Sequence, residues 1–330
     1  MGKNILITGG CGFIGKNLIL NLLTYPNIQH IVSLDNFISS NEDDFISFKK
    51  TYDQNNIIKY YNIDITKFNF DDLTKLYNIE INEIYHLASI ASPPLYKMNP
   101  VETLDVGYIG TRNVLEYAKN KKIKVLFAST SEIYGDAKIN PQSENYYGNV
   151  NCFGARSCYD ESKRISEALC YTYINNYNMD VKIARIFNTY GEFMKLDDGR
   201  IITEAIKSMM YDKPLSIHGT GFQTRSCCYV KDTVNMLIKL MESSHRIPVN
   251  IGNNIELSVI DTITIIEKVY KNTINQFTSL KYKYIPLTQD DPLQRQPCLK
   301  LNKELLGETC YTSFENGIAN TIKYFVDLYN

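Results

Sequence analysis

Residues 3–18 read KNILITGGCGFIGKNL. Lys3 to Thr8 is a short apolar run that suits a buried strand. A helical stretch follows from Phe13 to Leu23, with Phe13, Leu18, Leu22 and Leu23 on or near one stripe. Between the two, Gly9, Gly12 and Gly15 recur every third residue. The first permits a tight turn. The second lets backbone approach a pyrophosphate at the positive end of a helix, and the third lets helix and strand pack closely. An acid, Asp35, closes the next apolar run, Ile31 to Leu34, 20 positions after Gly15. Glycines in a strand–turn–helix context with an acid at that distance form a dinucleotide-binding pattern. The acid suits the ribose hydroxyls of NAD and would repel the extra phosphate of NADP.

Further along the chain, Ile57 to Ile63, Glu83 to Leu87, Lys124 to Ala128 and Val181 to Phe187 read as strands. Helical stretches at about 70–78, 100–120 and 156–177 separate the later ones. This alternation predicts an α/β fold, a Rossmann-type doubly wound parallel sheet, with a smaller C-terminal α/β substrate-binding region. The division expected is 1–190 for the NAD-binding domain, with about 229–253 returning to it. Residues 191–228 and 254–330 form the substrate-binding region, with helices at about 200–211, 231–242, 258–270 and 314–328. Asp64 and Ile65, after the third strand, are candidates for contact with the adenine. Leu87, at the end of the fourth, is a further cofactor candidate.

Composition removes several function classes. The chain has 330 residues, with 35 basic against 36 acidic residues and a net charge of −1. A nucleic-acid binder would need a basic surplus. No apolar run approaches the ~18 residues of a membrane span, and no signal-peptide pattern is present, so a cytoplasmic protein with reduced thiols is expected. Its eight cysteines show no Cys-x-x-Cys spacing, and His30, His86, His218 and His245 lie far apart, so no metal site is expected. Only eight of the 35 cations are Arg, and none occurs before Arg112. Lysine is the default cation here, which makes each arginine more informative.

Two segments carry candidate chemistry. Tyr159 and Lys163 are four apart, so on a helix they share a face. A neighbouring ammonium and the positive charge of NAD would lower the tyrosine pKa and make it a usable base. Ser129-Thr130-Ser131-Glu132 follows the fifth strand, at the carboxyl edge where doubly wound folds place ligands.

With these motifs the chain resembles the extended short-chain dehydrogenase/reductases that modify nucleotide sugars, and within them the branch that decarboxylates UDP-glucuronate. The resemblance covers essentially the whole chain. It rests on GGCGFIGKNL (9–18), HLASIASPPLY (86–96), ASTSEIYGD (128–136), PQSENYYGNVN (141–151), CYDESKR (158–164), ARIFNTYG (184–191), DDGRI (197–201), GFQTRS (221–226) and DDPLQRQP (290–297). It implies that Gly9, Gly12, Phe13, Ile14 and Gly15 cradle the pyrophosphate of NAD and that Asp35 and Asn36 hold the adenosine ribose. Tyr159 and Lys163 would be the redox pair, Thr130 would lie beside the sugar, and Glu132 would be the acid/base residue at C5. Arg295 would lie near the substrate carboxylate. Tyr96, Ser131, Arg156, Asn188, Arg200 and Arg225 would complete the substrate site. A homodimer through the helices at about 100–120 and 156–177 is also implied.

Ser131-Glu132 resembles the decarboxylases, whereas 4,6-dehydratases carry Asp-Glu and 4-epimerases as a rule lack the Glu. The resemblance therefore implies NAD-dependent, redox-neutral conversion of UDP-glucuronate to UDP-xylose through a 4-keto intermediate. Release of the 4-keto pentose, apiose synthesis, 4,6-dehydration and a silent NAD-binding regulator stay open. Gly107-Tyr108, Ala155, Glu204 and Cys227-Cys228 depart from the usual pattern. Glu204 places a carboxylate where an Asn commonly meets the substrate. Arg164 and Arg185 read as structural.

Overall fold

The computed structural model describes residues 2–77, 79–275, 279–286 and 294–329. Six strands alternate with helices through the first part of the chain: β1 (Lys3–Thr8), β2 (Ile28–Asp35), β3 (Ile58–Asn62), β4 (Glu83–His86), β5 (Lys124–Thr130) and β6 (Val181–Ile186). They pair in parallel with β11 (Pro248–Ile251) to give the order β11-β6-β5-β4-β1-β2-β3. This is the doubly wound order, whose direction reverses between β1 and β4, where ligands bind beyond the strands' carboxyl ends.

Side-chain alternation explains why helices cover both faces. On β1, Ile5 and Ile7 enter one core and Leu6 the other. On β5, Leu126 enters the first, and Val125 and Phe127 the second. The first core includes Leu18 and Ile19 of α1 (Phe13–Leu22), Phe45 and Phe48 of α2 (Glu42–Tyr52), and Val234 and Leu237 of α9 (Val230–Glu242). The second includes Leu73 of α3 (Asp71–Tyr77), Val114 of α6 (Thr111–Lys121), and Cys170 and Tyr173 of α7 (Ser157–Tyr177).

Two features differ from the sequence reading. Helix α2 was not expected. Only Phe45 and Phe48 anchor it, yet Asn41 caps it by accepting from Asp44 N, acids fill its first turn and lysines its last. The stretch at 100–120 is not one helix. It is α5 (Pro100–Asp105), a π-helical turn (Val106–Gly110) and α6, preceded by α4 (Pro93–Met98). A Cβ at Gly107 would lie 2.6 Å from Ser162 Cβ. The departure at position 107 therefore has a physical reason: the turn packs directly on α7. Ser166 Oγ fastens the contact by donating to Gly107 O at 2.8 Å.

Short strands make the C-terminal part: β7 (Thr189–Tyr190) with β10 (Cys228–Tyr229), β8 (Leu215–His218) with β13 (Tyr282–Ile285), and β9 (Thr224–Ser226) between β12 (Glu256–Ser258) and β14 (Gln294–Arg295). The helices α8 (Ile201–Met210), α10 (Val259–Ile274), α11 (Lys300–Leu306) and α12 (Phe314–Tyr329) complete it. The register of β14 on β9 sets Arg295 opposite Arg225.

Candidate active site

A cavity of about 1240 Å³ opens along the carboxyl edge of the sheet and extends under the C-terminal part. That exceeds the ~300–1,000 Å³ typical of a site for one drug-sized molecule, and two kinds of wall meet in it.

The first wall is backbone. Gly9 has φ +72°, and a Cβ on Gly15 would sit 2.5 Å from Gly10 O. Neither position tolerates a side chain. A Cβ on Gly12 would meet nothing closer than Gly9 O at 3.4 Å, which leaves the N-terminus of α1 open to the cavity. Asp35 lies beside this loop. It accepts from Cys11 N at 3.0 Å, Ser40 Oγ at 2.9 Å and Phe37 N at 3.0 Å. Burial pushes its carboxyl up, against these hydrogen bonds. A glycine cradle at a helix N-terminus with a buried acid beyond it fits a dinucleotide. Phe13, Ile14 and Leu87 also line this wall. Asn36, Asp64 and Ile65 do not. Asn36 is exposed and accepts from Ile38 N, Asp64 accepts from Thr66, and Ile65 is buried in the core. Lys16, which sequence reasoning passed over, lines the wall with its ammonium 5.8 Å from the centre of the Phe193 ring.

The second wall is made of charged and aromatic side chains. Tyr159 is only 6% exposed and stacks on Tyr96 of α4, with ring centres 5.3 Å apart and planes 9° apart. Lys163, one turn along α7, donates to Ala128 O at 2.8 Å and faces the Phe127 ring. In the protein alone the tyrosine pKa is not lowered as expected. Burial pushes the phenol up to about 12, although a hydrogen bond with Thr130 opposes this. Burial also pushes the Lys163 ammonium down to about 7. A buried polar chain fixes the helix that carries the pair. Thr8 Oγ1 meets His86 Nδ1 at 2.6 Å, His86 Nε2 meets Thr111 Oγ1 at 3.0 Å, and Thr111 donates to Ser166 of α7 at 3.3 Å. Burial lowers the His86 pKa to about 3, so the ring is neutral at physiological pH.

Beyond Thr130, a short 3-10 turn (Ser131–Tyr134) brings Glu132 to the cavity. Arg156 Nη2 lies 2.5 Å and Arg295 Nη2 3.2 Å from the same oxygen, Glu132 Oε2. Arg295, 1% exposed, also donates to Ser131 Oγ at 3.1 Å and Gly135 O at 3.3 Å. Burial works to raise the Glu132 pKa, but Arg295 and Arg156 overcome it and hold the carboxyl well below the usual range. Asp160, which sequence reasoning missed, belongs to the same cluster, 3.9 Å from Arg156 Nε. Its i,i+4 spacing from Arg156 was the available signal. Asn188, Arg200, Arg225 and Glu204 complete the wall. Arg200 pairs with Asp198 at 3.1 Å, and Arg225 Nη1 donates to Thr224 O.

Arg185 and Arg164 lie elsewhere. Arg185 forks onto Glu167 at 3.0 and 2.8 Å, and Arg164 donates to Ile133 O and Tyr147 O. The first four residues of the 290–297 motif lie outside the described residues.

A nucleotide cradle beside a Tyr–Lys pair on a doubly wound sheet is the arrangement of a dinucleotide-dependent enzyme of the short-chain dehydrogenase/reductase type. The model of the NAD dependent epimerase/dehydratase family matches residues 5–252, and the chain belongs to that family. Among curated relatives, the chain is 39% identical over 323 residues to UDP-glucuronic acid decarboxylase 1 of Danio rerio, covering 98% of this chain and 72% of the relative. It is 41% identical over 303 residues to UDP-glucuronic acid decarboxylase 5 of Arabidopsis thaliana, covering 92% and 83%. Among solved structures, the UDP-glucuronic acid 4-epimerase of Bacillus cereus in complex with UDP-glucuronic acid and NAD superposes with a TM-score of 0.86 at 27% identity, covering 99% of this chain and all of that one.

Proposed function

We propose that this protein converts UDP-glucuronate to UDP-xylose and CO₂, with NAD bound in the glycine-lined half of the cavity. When bound, NAD supplies the acceptor that oxidises C4 of the sugar and the donor that later restores it. The chain's own residues do the remainder. Tyr159 takes the proton of the C4 hydroxyl as a phenolate; burial disfavours that form, so it requires positive charge close by. Thr130 holds the same oxygen by hydrogen bonding. Oxidation at C4 places the sugar carboxyl β to a ketone. When the C5–carboxyl bond breaks, CO₂ leaves, the electron pair forms an enolate, and Tyr159 and Thr130 stabilise its oxygen. C5 then takes up one proton, drawn from solvent, beside Glu132, and reduction at C4, with the proton held by Tyr159 returned to the C4 oxygen, completes the pentose.

The observation that carries this reading is the cluster of Glu132, Arg156 and Arg295 in the cavity wall beside Tyr159. Arginine forks recognise carboxylates and phosphates better than lysine does. The cluster gives the cavity a place for a charged sugar substituent next to the residues that oxidise its ring. The relatives named as UDP-glucuronic acid decarboxylases support the same substrate.

Incubation of the purified protein with UDP-glucuronate and no added NADH should release CO₂ and UDP-xylose in equal amounts. CO₂ with UDP-4-keto-pentose would make it the releasing type of decarboxylase. Absence of CO₂ would overturn the proposal.

The same proposal includes a cytoplasmic homodimer. Val101 and Leu104 of α5 and Ile165 and Tyr171 of α7 are exposed apolar residues on the helices expected to pair. Among the described residues no helix is long and apolar enough to cross a membrane. Light scattering at micromolar concentration should give twice the 38.0 kDa chain mass.

A further inference from the structure

We infer that Asp160 is a positioning carboxylate that takes up a proton when the carboxylate of the sugar enters the site, so that substrate binding is coupled to proton uptake. The inference rests on the decarboxylase reading above.

Charge and distance carry it. Among the described residues, the cluster beside Tyr159 holds two guanidiniums, Arg156 and Arg295, and two carboxyls, Glu132 and Asp160. All four are largely buried. Arg225 on β9 also acts on Glu132. A further carboxylate, from the substrate, sets a third negative charge beside Glu132 and Asp160 in a site of low dielectric, which is costly for both. Protonating one resident carboxyl removes that cost.

The geometry says which. Glu132 is gripped at 2.5 and 3.2 Å by both arginines. Among the described residues Asp160 pairs with Arg156 alone, at 3.9 Å. It is 6% exposed, and its Oδ1 is buried without a hydrogen-bond partner among those residues. Asp160 is therefore the carboxyl that loses least on protonation.

The groups around it are Glu132 on the 3-10 turn, Arg156 before α7, Arg295 on β14, Tyr96 on α4, and Cys158, Tyr159 and Glu161 on α7 itself. Burial and then Glu132 already push its pKa up, while Arg156 and Arg295 pull it down, with a net rise. An arriving sugar carboxylate pushes the same way as Glu132.

The proton balance of the reaction agrees. Loss of CO₂ leaves the electron pair on the sugar, and C5 must form a bond to one proton. A proton bound along with the substrate carboxylate is retained in the cluster until C5 requires it.

The test is calorimetry with the NAD-loaded Tyr159→Phe protein, whose turnover should be slow enough for binding heats to be read, with CO₂ release monitored alongside. Titrations at pH 8 in two buffers of different ionisation enthalpy read the protons bound. UDP-glucuronate should bring uptake of up to about one proton, and UDP-glucose, which lacks the carboxylate, none. In the Asp160→Asn, Tyr159→Phe protein the uptake should vanish. In the otherwise native enzyme, Asp160→Asn should flatten the rise of KM with pH, and Asp160→Glu should restore it. Equal uptake with UDP-glucose, no uptake with UDP-glucuronate, or uptake that survives Asp160→Asn would overturn the inference. Should Asp160→Asn fail to fold, the comparison of the two sugars still decides. If the native protein makes no CO₂ from UDP-glucuronate, the decarboxylase reading fails. If it makes CO₂ but binds no proton, only the role of Asp160 fails.

Discussion

The two halves of the cavity are built by opposite means. The half we assign to the cofactor is a continuous piece of chain, Gly9 to Gly15, shaped by absent side chains at the N-terminus of α1. The half we assign to the substrate is assembled from Glu132, Arg156, Arg225 and Arg295, side chains contributed by four separate segments. A backbone site depends on shape, so it tolerates little change in volume. A side-chain cluster depends on charge balance, so it tolerates little change in charge.

Substitutions can break or sharpen that contrast. The largest effect is expected where the halves meet. Tyr159→Phe should lower kcat by about 10²- to 10⁴-fold, the usual contribution of a positioned acid–base group. Wild-type turnover by that variant would remove Tyr159 from its role. Next, in the charged half, Glu132→Gln should cost about 3–5 kcal/mol in a urea titration at pH 7, because it leaves two buried guanidiniums without their shared carboxylate. The sign follows from the depressed pKa. Stabilisation by Glu132 is complete above its unfolded value, near 4.5, and is lost as pH falls toward its much lower folded value. The gap between wild type and Glu132→Gln should therefore shrink below about pH 4. A pH-independent gap would mean that Glu132 acts through packing.

In the backbone half, Gly15→Ala should cost about 1–3 kcal/mol, as overpacking does, because its methyl would meet the Gly10 carbonyl. The loss should appear in thermal melts and in NAD affinity, with no dependence on pH between 5 and 9. The smallest effect should come from Ser40→Ala, which removes one of the three donors to Asp35. NAD affinity should change by less than about tenfold, the worth of about one hydrogen bond. A larger loss would mean that Ser40 touches the dinucleotide itself.

The same contrast explains what the sequence made legible. The glycine loop and Asp35 lie within 27 residues and follow local rules, so their arrangement is legible in the order of residues alone. The doubly wound sheet followed from the alternation of strands and helices. The charged cluster was different. Arg295 meets Glu132 across 163 positions, and no spacing rule links them. The strand-end position of Glu132 and the scarcity of arginine pointed toward those residues, but only resemblance to a family joined them in one site, and it passed over Asp160. Helix α2 escaped because two phenylalanines make a weak stripe, although its Asn41 cap and its charge order were present. Spacing reports that Lys163 shares a face with Tyr159 and says nothing of burial, which dominates both groups in the protein without NAD. Asn36, Asp64 and Ile65 are in the expected loops, where Asn36 and Asp64 close Asx turns and Ile65 is buried, and none of the three lines the cavity.

The central claim is that one cavity oxidises C4, releases the neighbouring carboxylate and restores C4 in the same cycle. UDP-glucuronate deuterated at C4, given to the purified protein without added NADH, tests it most directly. The account predicts CO₂ and an equal amount of UDP-xylose that still carries deuterium at C4. UDP-xylose that has lost the label, or any outcome without CO₂, would contradict it.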